Sequence, residues 1–140
     1  MFVIEARNSR GWRWIPAICQ DQQRVVDFLA SVPPALQPMQ RVIEVPVHGY
    51  PMFIVEDHGF EYGSAEFVRR RLSELRPCGD EDAVLLNVYV VREDFLPDYP
   101  GRDCMGHLSH WHITDDALRP PRIDRLHEEL DGASQELPSD

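Results

Sequence analysis

Ala83-Val84-Leu85-Leu86-Asn87-Val88-Tyr89-Val90-Val91 is apolar on both of the faces an extended chain would present. A strand with one face in water alternates, whereas one covered on both sides reads as a near-continuous hydrophobic run. This stretch therefore predicts a central, buried strand. Upstream of it, Ser64 is placed to cap a helix reaching about Leu75, with Phe67, Val68, Leu72 and Leu75 inward and Pro77 and Gly79 ending it. Before that, Val42 to Val47 sets Ile43, Val45 and Val47 on one face. His48-Gly49-Tyr50-Pro51 then turns the chain into a hairpin partner, Met52 to Glu56.

Nearer the N-terminus, Asp21 can cap a helix to about Val32 with Val25, Phe28, Leu29 and Val32 as its apolar stripe, stopped by Pro33-Pro34. Phe2 to Arg7 and Trp12 to Ile18 read as a hairpin around Asn8-Ser9-Arg10-Gly11. Strict alternation puts Trp12, Trp14 and Ile18 on one face and Arg13 and Ile15 on the other. The two tryptophans are read as core, with an exposed interface anchor as the alternative. Pro16 has no N–H for a ladder, which places this part of the strand at an edge.

Downstream of the central strand, a loop rich in Pro, Asp and Gly runs from Glu93 to Gly106, and His107 to Ile113 reads as a further strand. A short helix from about Arg122 to Leu130 carries Ile123, Leu126 and Leu130. The order is ββα-ββα-β-β-α. Short connections favour a mixed or antiparallel sheet with helices packed on one face, an α+β class. Two hairpin-plus-helix segments follow one another, yet their sequences do not align as a repeat. Residues 1–131 are expected to form a single domain and the polar residues 132–140 a frayed tail.

At 140 residues, with 43% hydrophobic and 27% charged content, the chain has the composition of an ordinary globular domain. No basic leader precedes an apolar run, and no stretch approaches the ~20 residues a membrane helix needs. The cysteines, Cys19, Cys78 and Cys104, are odd in number and form no CxxC pair, which suits a reducing, cytoplasmic setting. All fourteen basic residues are arginine. Residues 1–60 hold five Arg against six Asp and Glu, a net of −1; residues 61–140 hold nine against eighteen, a net of −9. This imbalance disfavours nucleic acid and anionic membranes and favours a basic partner.

The densest group of chemically capable residues is Gly106-His107-Leu108-Ser109-His110-Trp111-His112-Ile113-Thr114-Asp115-Asp116. On a strand His110 and His112 share a side; Asp115 or Asp116 could add a carboxylate to a metal set, and Cys104 a thiolate. The pattern resembles the first motif of the cupins, whose fold needs a second half for which the 28 residues after His112 are too few. His107-Leu108-Ser109 and His112-Ile113-Thr114 also resemble the His-x-Ser/Thr motifs of 2H phosphoesterases. Those enzymes bring such motifs from two lobes, whereas both of these lie on one segment. No GxSxG, P-loop, GxGxxG or HExxH occurs. A small metal- or cysteine-dependent enzyme built on His107–His112 is thus the second reading, and no cofactor is expected.

Arg69-Arg70-Arg71 sweeps about 200° of a helix, too wide for one flat basic patch, and reads as a salt-bridged face beside Glu66 and Glu74. The leading reading rests on acidic loop positions: Asp80, Glu81, Asp82, Glu93, Asp94, Asp98, Asp103, Asp115 and Asp116, with Tyr99 as an aromatic anchor. In being small, acidic and without catalytic motifs, the chain resembles bacterial toxin-immunity proteins as a broad class. The resemblance implies a stoichiometric binding module that neutralises a basic partner, such as a secreted toxin domain, rather than an enzyme.

Overall fold

The computed structural model describes residues 1–74, 86–97, 108–113 and 130. Its strands form two antiparallel sheets, each with a helix packed on it, which is the α+β class. By its contacts the chain divides into two compact units, Met1–Tyr50 with Arg92–Leu108, and Pro51–Val91 with Ser109–Asp140.

In the first unit β1 (Phe2–Arg7) lies between β2 (Arg13–Cys19) and β3 (Gln40–Glu44). Ile4 faces Ala17 while Ala6 faces Trp14, so β2 carries one more residue than β1 between these pairs. Pro16 sits in this bulge on an outer strand, where its missing N–H costs no ladder bond. The extra residue also corrects the expected facing. Trp14 shares a side with Ala17 and Cys19, whereas Ile18, opposite Val3, lies on the side of Arg13. At Ile18 the outer edge is closed by Phe95, whose N–H donates to the Ile18 carbonyl at 2.8 Å and whose carbonyl accepts from Ile18 at 2.9 Å.

The first helix, α1 (Gln22–Ser31), starts where Asp21 accepts the Gln23 N–H at 2.9 Å. Val25 and Phe28 pack with Val32, Ile4, Ala17 and Cys19 as the core of this unit. The expected hairpin between Val42–Val47 and Met52–Glu56 does not form. β3 instead pairs with β1, Val3 against Ile43 and Phe2 against Glu44. Pro46 and Pro51 supply no N–H, so the segment between them cannot carry a two-strand ladder through a tight turn.

The second unit orders β5 (Phe60–Gly63), β4 (Met52–Glu56), β6 (Leu86–Val91) and β7 (Ser109–Ile113) side by side. β6 is interior, as its continuous apolar run requires, and Val88, Val90 and Val91 are buried. The partner of β4 across a tight turn is β5, through Asp57-His58-Gly59, with Glu56 facing Phe60. His58 takes a left-handed φ of 60° there, uncommon for a residue with a side chain. The second helix, α2 (Ala65–Glu74), begins directly after Ser64 and lays Ala65 and Val68 on Phe53, Val55, Val88, Val90 and Leu130. The remainder of the helix expected before Leu130, the segment 75–85 and the tail 132–140 lie outside the described residues.

The two units share one path: a hairpin, a helix, then a strand returning to the free side of the first strand. The order β2-β1-β3 is matched by β5-β4-β6, although the sequences of the two segments do not align.

Candidate functional site

Two polar networks and one open cleft hold the chemically capable side chains among the described residues. The first network centres on Asp94. One carboxylate oxygen accepts from the Tyr50 hydroxyl, and from the backbone N–H of Gln20 at 3.3 Å; the other accepts from Arg24 Nη1 at 3.1 Å. Asp94 is therefore an internal tie of the first unit and not the free loop charge expected. Burial, then the bond to Asp94, pushes the Tyr50 hydroxyl far above the usual phenol range, so it stays a donor. Cys19 nearby is 1% exposed, with Sγ 3.5 Å from the Asp21 carbonyl. Burial and then the Asp94 charge push its thiol up, away from the thiolate a nucleophile needs.

The second network binds β5 and α2 in the second unit. Arg71 reaches Asp57 at 3.2 Å, Glu61 at 3.1 Å and Glu74 at 3.2 Å. Of the arginine triplet, Arg71 is thus salt-bridged, with partners from the turn and strand as well as from the helix. On the sheet beside it, Glu56 accepts from Asn87 at 3.1 Å and Tyr89 at 3.3 Å. β7 sets His110 opposite Tyr89 and His112 opposite Asn87. Asp115, the third candidate ligand, lies outside the described residues. Among those described, no group of three metal-ligating side chains converges.

The cleft lies at the hairpin end of the first sheet. Asn8 shapes this turn. Its side-chain oxygen accepts the N–H groups of Arg10 at 2.9 Å and Trp12 at 3.0 Å, while its carbonyl accepts from Gly11 at 3.0 Å. Gly11 holds a φ of 83°, a conformation that costs a glycine little. The turn leaves Trp12 71% exposed, which corrects its reading as core, and holds Trp14 partly buried. Arg7 lies directly opposite Arg13, and Arg41 opposite Glu5. Residues directly opposite one another share a face, so these four side chains stand on one side of the sheet. With Ser9, Met39 and Gln40 they line a cleft of about 400 Å³.

Of the acidic positions expected to meet a partner, Glu93 is exposed and Asp94 is engaged as described. Asp80, Glu81, Asp82, Asp98, Tyr99, Asp103, Asp115 and Asp116 lie outside the described residues, as do Cys78 and Cys104. Net charge points to the acidic half of the chain and gives no sign of the arginines that line this cleft. Their signal was present in the symmetric placement of Arg7 and Arg13 about the Asn8–Trp12 turn. Comparison with protein-family models, curated proteins and solved structures gives no match.

Proposed function

We propose that this protein is a stoichiometric protein-binding module, and that its partner is a basic protein of the kind a toxin-immunity protein neutralises. The observation that carries the reading is Trp12, 71% exposed on a turn fixed by the bonds of Asn8. An exposed tryptophan on a rigid mount gives a large apolar contact at little entropic cost, and tryptophan and arginine are favoured where binding energy concentrates. The formal charge of −10 supplies long-range attraction for a basic partner, with Glu93 as one exposed contributor. Cys19 and Tyr50, held protonated, serve the fold in this reading and not a reaction.

The test is association with the product of the neighbouring gene, followed by surface plasmon resonance at two ionic strengths. Trp12→Ala is expected to raise the dissociation rate by about tenfold or more, the loss of a buried aromatic anchor of about 2 kcal/mol. Higher salt should slow association of both variant and parent. A Trp12→Ala variant that dissociates like the parent would remove the anchor, and salt-independent association would remove the acidic attraction.

A further inference from the structure

Within residues 1–60 of this acidic chain, arginines gather at one end of the first sheet. Residues 1–60 hold five arginines, of which Arg24 is tied to Asp94. The other four are Arg7, Arg13 and Arg41 in the cleft and Arg10 on the adjoining turn. Among the described residues none of these four takes part in an ion pair. Arg7 and Arg13 are moreover directly opposed across two strands, an arrangement that is unfavourable for like charges unless something neutralises it.

We propose that this cleft is a binding site for a phosphate group, free or carried by a small molecule. Three arginines against Glu5 leave the lining with a formal charge of +2, which matches the −1.5 to −2 that a phosphate monoester carries at neutral pH. Each guanidinium presents a planar fork of donors suited to two oxygens of a tetrahedral oxyanion. Arg7 and Arg13, with β-carbons about 5 Å apart as a directly opposed pair, bracket one such group from two strands, and Arg41 approaches from the third. The Ser9 hydroxyl adds a neutral donor at the lip. The volume of about 400 Å³ leaves room for a small organic body beyond the phosphate itself. Duplex nucleic acid is the wrong occupant, since a chain of net charge −10 repels an extended polyanion.

The experiment uses the full chain and amide-resolved NMR titration at constant ionic strength, held with sodium chloride. Inorganic phosphate, a ribose phosphate, succinate and a short DNA duplex are the probes. Saturable shifts of the Ser9, Gln40 and Arg41 amides are expected with both phosphate-bearing probes, and responses about tenfold weaker with succinate and DNA. Arg13→Gln should weaken phosphate binding by about tenfold, the loss of a charge-assisted bond, while Arg10→Gln, outside the cleft, stays within about twofold of the parent. Because Arg13→Gln also relieves the opposed charges, its Tm without phosphate should equal or exceed that of the parent, and at a given phosphate concentration the parent's Tm should rise by more than the variant's. Non-saturable shifts, an equal response from Arg13→Gln, equal binding of succinate or tighter binding of DNA would each overturn the proposal.

Discussion

Tyr50 and Asp94 are 44 residues apart in sequence and joined by one hydrogen bond. The phenol is half buried and its partner is an anion, so ionising it in the folded state is opposed twice. A group whose pKa is raised on folding contributes stability that is fully present below its unfolded value and lost as pH rises beyond it. In the unfolded chain Tyr50 ionises near the ordinary phenol value of about 10, and above that pH the unfolded state gains stability the folded state does not share. Urea midpoints measured between neutral pH and alkaline pH should therefore begin to fall once this value is passed. Tyr50→Phe should fall less steeply, starting from a parent level lowered by about 1.5 kcal/mol for the lost charge-assisted bond. A variant with the same alkaline slope as the parent would show that Tyr50 is not the group responsible. Cys19, buried beside the same network, is expected to react with thiol reagents only as fast as the unit opens.

At the scale of elements, Gly63 shows how closely the second helix is fitted to its sheet. A β-carbon added there would lie 2.6 Å from the Phe67 ring and 2.7 Å from its own β-carbon, a contact that no rotation of the ring relieves. Gly63→Ala should cost about 1–3 kcal/mol, the range for overpacking a fitted core, and chemical denaturation of the purified variant would measure it. Elements set by local chemistry could be read directly from the chain: the Asp21 cap, the strand edge at Pro16, and the interior position of Leu86–Val91. Pairings could not be read in the same way. The partner of Gln40–Glu44 is β1, whose attraction for it is non-local, and the four residues of β5 are too short a run to display alternation. Strict alternation places Ile18 on the wrong side because a single bulge residue inverts everything beyond it. The same limit hid the cleft. Arg7 and Arg13 face each other through a turn that the sequence displays, but Arg41 joins them only once β3 has found β1.

For the whole molecule, charge and connectivity are the two governing facts. A net charge of −10 and a sequence pI near 4.9 keep copies of the chain apart at neutral pH, so the basic cleft is a local exception within a repelling field. The connectivity is interleaved: the path runs through the first unit, enters the second at Pro51, returns at Arg92 and leaves again at Ser109. A fragment spanning Met1–Tyr50 holds β1, β2, β3 and α1, yet lacks Asp94 and Phe95. It is expected to unfold without a cooperative transition by circular dichroism, and a peptide spanning residues 92–108, added in trans, should restore one. A fragment that melts cooperatively alone would show the return segment to be dispensable. The bridge from Phe95 to Ile18 also sets an order on synthesis. While the ribosome is still translating residues 51 to 91, the N-terminal segment has no cooperative fold, and the Ile18 amide and carbonyl that Phe95 pairs in the finished protein are open. Pro16 offers no N–H along that stretch, and Ile18 waits for a partner more than seventy residues later in the chain. A chain released in this window would carry Ile15, Ala17 and Ile18, buried in the finished protein, without the Phe95 bridge and open to pairing with a second copy.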